Sequence, residues 1–336
     1  MSHADRTTPL PCPRVVFEPG FAARLERLTA EIYASRERRE GLGSQAGALG
    51  GSEFVGYRAY PPGDDPRRID WDAYARLDRA LVRVTRREAG ERWAIVIDAS
   101  ASMGVGPPGK LQVAAEVALG ITALALRHSA RAFVAAIPGV ATLGVTNLGA
   151  ALPSVEGRPH SIEIDRRARL ADLFAFLQSL EARGRADRAD LQALERDLRG
   201  AQRVFVVSDL LSFVPGDVTA LASARRSVHA IRILSPRELG AARALAPGVE
   251  GAHADFAAEI ASRIARAQPG SVEWVDPESG DRIALELDAA SIERYERELS
   301  RELESWRVAC ARVRAEHVVA SSAERFESIV RRSFEG

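Results

Sequence analysis

The stretch Trp93-Ala-Ile-Val-Ile-Asp98-Ala-Ser100-Ala-Ser102-Met-Gly104 decides how the rest of the chain is read. Its first five residues form an apolar run of strand length with β-branched residues at the core, the pattern of a buried strand. The run delivers Asp98, Ser100 and Ser102 at its C-terminal end. Oxygen-bearing side chains at every second position suit a hard cation or a polar ligand.

Downstream, apolar segments alternate in character. Helical patterns over residues 111–128, 169–180, 190–198 and 218–227 interleave with strand patterns over 132–137, 203–209 and 228–234. The strand Arg203-Val-Phe-Val-Val-Ser-Asp209 repeats the opening motif, an apolar run ending in a carboxylate. Strand-helix alternation implies right-handed crossovers and an α/β fold: a mostly parallel sheet with helices on both faces and its ligand site at the C-terminal strand ends. Asp98 and Asp209 then share one rim. Residues 239–270 read as an Ala-rich insertion. Residues 273–287 read as a hairpin turning at Pro277 to Gly280, followed by a long helix from Ala289 to about Arg314, a strand over 317–320 and a closing helix over 323–332.

Upstream, Phe21, Leu25, Leu28 and Ile32 recur at helical spacing, and Gly41 to Gly51 packs five glycines among small residues, the composition of a linker. Leu81 to Arg87 alternates like an exposed strand, and Ala89-Gly90-Glu91 is expected to turn it into the Trp93 strand. Asp64, Asp65, Arg67, Arg68 and Asp70 are flanked by Tyr57, Tyr60, Trp71 and Tyr74. The cluster reads either as a solvated loop whose ion pairs contribute under about 1 kcal/mol each, or as an ordered protein-binding surface made of Asp64, Asp65, Arg67, Asp70 and Trp71. The expected divisions are 1–51, 52–92 and 93–336.

Composition narrows the function classes. The 46 basic and 46 acidic residues cancel, so the chain carries no global field for nucleic acid or an acidic membrane. No apolar run approaches membrane-spanning length, and the first twenty residues carry prolines and an acid where a secretory signal needs an apolar core. Cys12 and Cys310 fit neither a disulfide framework nor a zinc spacing, which leads us to expect a cytoplasmic protein. All basic residues but one are arginine; the exception is Lys110.

Lys110 closes Gly104-Val-Gly-Pro-Pro-Gly109-Lys110, which mimics a phosphate-binding loop. The mimicry is poor: Pro107 and Pro108 lack the N–H groups that cradle phosphates, and Leu111 stands where a Mg²⁺-binding hydroxyl belongs. The six histidines are scattered singly, and no nucleophile-elbow pattern surrounds Ser100.

The segment Asp98-Ala-Ser-Ala-Ser102 resembles the Asp-x-Ser-x-Ser that opens the metal-ion-dependent adhesion site of von Willebrand factor A-type domains. Further marks are Arg58-Ala-Tyr60, Pro62-Gly63-Asp64-Asp65-Pro66-Arg67, Ile69-Asp70-Trp71, Ser208-Asp209, Ser235-Pro-Arg-Glu238 and Asp276-Pro-Glu-Ser-Gly280. Together they resemble the bacterial "domain of unknown function 58" family. The resemblance implies a von Willebrand factor A-like fold and a Mg²⁺ site at Asp98, Ser100, Ser102 and Asp209. The threonine expected on a second loop is missing, and Asp190 or Asp187 stands in its place. The resemblance also implies a protein-interaction role beside a MoxR-type AAA+ ATPase, in chaperone-like assembly or maturation of a client protein. Two alternatives stay open: a metal-dependent phosphoester hydrolase using Asp98 and Asp209, and a purely structural reading in which Ser100 and Ser102 cap the following loop while Asp98 pairs with an arginine.

Overall fold

The structure, a computed structural model, describes residues 14–40, 52–60, 70–87, 91–106, 109–138, 160–239, 271–286 and 289–335. The Gly-rich linker, Asp64, Asp65, Arg67, Cys12 and the body of the Ala-rich insertion lie outside these residues. The chain divides into two compact units, one over Tyr33–Glu91 and the other formed by Met1–Ile32 with Arg92–Gly336. Helix α1 (Phe21–Glu40) carries Phe21, Leu25, Leu28 and Ile32 on one buried face.

In the smaller unit β1 (Ser52–Ala59) precedes α2 (Trp71–Leu77) and β2 (Leu81–Arg87). Strands β1 and β2 pair antiparallel, with an irregularity between Phe54 and Gly56. Asp70 caps α2 by accepting from the Ala73 N–H at 2.9 Å. The turn expected at Ala89-Gly90-Glu91 falls mostly outside the described residues; β2 pairs with β1, and the Trp93 strand pairs within a separate sheet. A strand with alternating polar residues does not suit a sheet covered on both faces.

The larger unit holds β3 (Arg92–Asp98), α3 (Lys110–Arg127), β4 (Arg131–Ile137), β5 (His160–Ile164), α4 (Leu170–Gln178), α5 (Arg188–Leu194), β6 (Arg203–Ser208), α6 (Pro215–Thr219), β7 (Ser227–Leu234) and α7 (Pro236–Leu239). After these come β8 (Ser271–Val275), β9 (Arg282–Glu286), α8 (Ala289–Ala311), β10 (Ala315–Ser321) and α9 (Phe326–Glu335). Six strands form one sheet in the order β10-β7-β6-β3-β4-β5, parallel throughout except for β5 against β4. Strands β8 and β9 make the expected separate hairpin.

Why β3 is central follows from its side chains. Trp93, Ile95 and Ile97 enter one core with α1, α3, α4 and α9, while Ala94 and Val96 enter a second core with α5, α6 and α8. Both faces are covered, so every position past Arg92 is apolar until Asp98. Helix α3 is buried along most of its length, and Gly120 lets α9 approach it: a Cβ there would meet Val330 Cγ2 at 2.8 Å. Among the described residues no helix is long and apolar enough to cross a membrane.

Candidate functional site at the strand ends

The C-terminal ends of the parallel strands gather the polar residues that the apolar runs deliver. Asp98 closes β3 and is buried. Its Oδ1 accepts the Ser100 N–H at 2.8 Å, and its Oδ2 accepts the Ser208 hydroxyl at 2.5 Å. Ser100 Oγ and Ser102 Oγ lie 3.1 Å apart, both buried. Main-chain bonds clamp this loop: Ala99 N–H donates to Ile137 O at 2.6 Å, Ala101 N–H to Gly184 O at 2.9 Å, and Arg183 N–H to Ala99 O at 2.8 Å. Gly184 suits the clamp because it adopts φ +70° and a Cβ there would sit 3.3 Å from Pro138 Cγ.

Burial, and then the charge of Asp209, push the Asp98 carboxyl up to about 7, against the hydrogen bonds from Ser208 and Ser100. Asp209 follows β6, the strand hydrogen-bonded to β3 in the sheet. Its Oδ1 accepts the Leu211 N–H at 3.1 Å and its Oδ2 accepts Lys110 Nζ at 2.7 Å. The Lys110 ammonium also donates to Glu238 Oε1 at 2.8 Å, and its side chain has no exposure to solvent. Burial works to lower the Lys110 pKa, but the charges of Asp209 and Glu238 outweigh it and leave the group above its ordinary value. Glu238 is fixed in turn: its Oε2 accepts the Ser235 N–H at 2.6 Å, and its carbonyl oxygen accepts the Tyr295 hydroxyl of α8 at 3.2 Å.

The remaining residues named from sequence fall elsewhere. Asp187 and Asp190 form a capping box on α5: Asp187 Oδ1 accepts from the Ala189 and Asp190 N–H groups, and Asp190 Oδ2 accepts the Asp187 N–H. Asp70 caps α2, and Trp71 is 61% exposed with its ring edge-on to Tyr74. Lys110, read from sequence as the end of a false phosphate loop, and Glu238, read only as a family mark, turn out to be central to the rim. The signal for the first was present: it is the chain's sole lysine.

The Ser100 and Ser102 hydroxyls are spaced near the roughly 3 Å edge of an oxygen octahedron around Mg²⁺. The rest of the donor set does not fit such an ion. Asp209 is already neutralised by an ammonium at 2.7 Å. Both Asp98 oxygens accept protein hydrogen bonds. The loop over residues 181–187 meets the 99–101 loop through main-chain groups at Arg183 and Gly184. Among the described residues no group of three or more His, Cys, Asp or Glu is arranged to hold a metal.

Beside the polar cluster the rim also carries exposed apolar side chains. Val105, on the segment after β3, is 39% exposed, and Leu211 and Val214, after β6, are 53% and 62% exposed. The turn of the β8–β9 hairpin reaches the same loop: Glu278 accepts the Ser212 hydroxyl at 3.3 Å and pairs with Arg185 at 3.6 Å.

The family described as "Protein of unknown function DUF58" matches residues 56–243. Uncharacterized proteins of Mycobacterium bovis and Mycobacterium tuberculosis are each 31% identical to this chain over 233 residues, covering 66% of it and 68% of their own length. The crystal structure of conserved hypothetical protein BatB from Bacteroides thetaiotaomicron aligns at 10% identity over 73% of this chain and 97% of that one, with a TM-score of 0.37.

Proposed function

The chain belongs to the DUF58 family, and we propose that it is a protein-binding module whose contact surface is the rim at the C-terminal ends of β3 and β6. The observation that carries this reading is the exposure of Val105, Leu211 and Val214 on loops that follow adjacent strands. Branched apolar side chains held in water around a buried polar cluster are what a partner desolvates, each worth up to about 1.5–3 kcal/mol when fully covered. The clamped Ser100–Gly184 loops hold that surface in one shape before the partner arrives, so little ordering entropy opposes binding.

Strand order and the single antiparallel edge strand support a von Willebrand factor A-like fold. Resemblance at the level of the family supplies the partner: a MoxR-type AAA+ ATPase, with the module bringing it to a client. The test is capture of purified MoxR-type ATPase by the full chain and by Leu211→Asp/Val214→Asp. Loss of at least about tenfold in affinity, equivalent to about 1.4 kcal/mol, is expected in the variant. Equal capture by both proteins overturns the rim as the contact surface, and phosphodiesterase turnover that disappears in Asp98→Ala overturns the binding-module reading.

A further inference from the structure

The rim contains a cation already. In a chain whose other basic residues are all arginine, the one lysine is wholly buried and bonded to two carboxylates from different segments, Asp209 after β6 and Glu238 in α7 after β7. Its position is electrostatically awkward. Lys110 is the first residue of an 18-residue helix, where the positive end of the helix dipole disfavours a cation. Its side chain also loses its hydration on burial. The two carboxylates, at 2.7 and 2.8 Å, offset both costs. Guanidinium would not substitute well: it is a wide planar fork with five donors, whereas an ammonium is a compact point charge with three.

We infer that the Lys110 ammonium is the rim's resident cation: it stands where the second acidic ligand of an Asp-x-Ser-x-Ser site would face a divalent ion, ties the segments after β6 and β7 to the start of α3, and keeps the rim from holding Mg²⁺ or Mn²⁺. Two placements converge on this. Asp209 Oδ2 is directed at Nζ, with Oδ1 turned to the Leu211 N–H. The loop carrying Gly184 meets Ala99 and Ala101 by main-chain bonds. The inference deepens the proposed binding role, since a partner then docks without a chelatable ion bridging the two proteins. It rests on that role only for this last consequence.

Because the chain has one lysine, ¹⁵N-lysine labelling of the full protein gives a single side-chain ammonium signal that needs no assignment. The expected result is a signal protected from exchange with water and unmoved by added Mg²⁺. A signal lost to fast exchange, or one that shifts with Mg²⁺, overturns the inference. Mn²⁺ binding followed by electron paramagnetic resonance supplies the second arm. Wild type is expected to bind no Mn²⁺ at the rim. Lys110→Met, which keeps length and removes charge, is expected to bind Mn²⁺ at least about tenfold more tightly, and Lys110→Met/Asp98→Asn is expected to lose that gain. Lys110→Met/Glu238→Gln, which removes one charge of each sign, serves if the single variant does not fold. Wild-type Mn²⁺ binding abolished by Asp98→Asn refutes the inference, as does a folded Lys110 variant that gains nothing. Capture of the ATPase in the presence of EDTA is expected to equal capture with Mg²⁺. If capture instead ignores Leu211→Asp/Val214→Asp while the ammonium results hold, the contact surface is wrong and the resident cation stands.

Discussion

Replacing Asp98 by Asn keeps the shape of the side chain and removes a buried charge, and its effect on stability has a definite sign and pH window. In the folded protein the carboxyl is pushed from 3.8 up to about 7, first by burial and then by Asp209. A raised folded-state value for an acid means that the folded chain binds the proton more tightly than the unfolded one. Stability from this group is therefore whole below about 3.8 and declines as pH rises through about 7, after which it stays flat. The full decline corresponds to about 4 kcal/mol. The Asp98→Asn variant escapes this decline. Its side chain still accepts the Ser100 N–H, but the new amide must donate to a Ser208 oxygen that already accepts the Leu210 N–H at 2.8 Å, a rearrangement costing on the order of 1 kcal/mol. Asp98→Asn should then be more stable than wild type by about 3 kcal/mol near pH 8, and equal or slightly less stable near pH 4. Urea unfolding of both proteins at the two pH values measures this. A difference between variant and wild type that is the same at both values refutes the reasoning, because no burial penalty on the charge would then exist.

Two further outcomes test the packing beneath the rim. Burial, and then the nearby Arg232 charge, hold His317 down to about 4 from 6.5, so stability present above about 6.5 is lost as pH falls toward 4, by up to about 3 kcal/mol. His317→Phe keeps the stacking on Trp306 and should flatten that acid limb in denaturant titrations; an unchanged limb would place the titration elsewhere. Gly120→Ala should destabilise by about 1–2 kcal/mol despite the better helix propensity of Ala, because its Cβ meets Val330 at 2.8 Å, and Val330→Ala in the same chain should recover part of the loss; additive effects in that double-mutant cycle would deny the contact.

How far the sequence carried can be followed strand by strand. Strands β3 and β6 were legible because burial on both faces writes itself as unbroken apolar runs; β7 is interrupted by His229 and Arg232 yet keeps enough apolar residues to read as a strand, and the parallel order of the three follows from the helices between them. The edge strand β5 was not: His160-Ser-Ile-Glu-Ile is short and half polar, as befits a strand paired on one side. The partner of β2 was not legible either, because a local turn signal at Ala89-Gly90-Glu91 says nothing about which strand pairs, and β1 upstream supplies the partner. At the site, the spacing of Asp98, Ser100 and Ser102 and the repeated carboxylate at Asp209 brought four residues to one rim on paper. Asp190 looked like a replacement oxygen on the second loop, yet Asp-x-x-Asp at a helix start is also a capping box, and that local use prevailed. Lys110 stood out as the sole lysine, but its role did not, because its surroundings imitate a nucleotide loop and its two acidic partners lie 99 and 128 residues further along.

The central place of β3 also sets a timetable. Ser208, at the end of the strand that covers one edge of β3, lies 110 residues after Asp98. A ribosome adding about 5–20 residues per second needs roughly 5–20 s to cross that interval. Strand β4 is made early and protects the other edge, but through those seconds the nascent chain carries an apolar strand with one row of main-chain donors and acceptors still unpaired. Slowed synthesis between residues 138 and 203 lengthens that exposure, so the yield of folded protein is set partly by translation speed in a stretch far from the rim it completes.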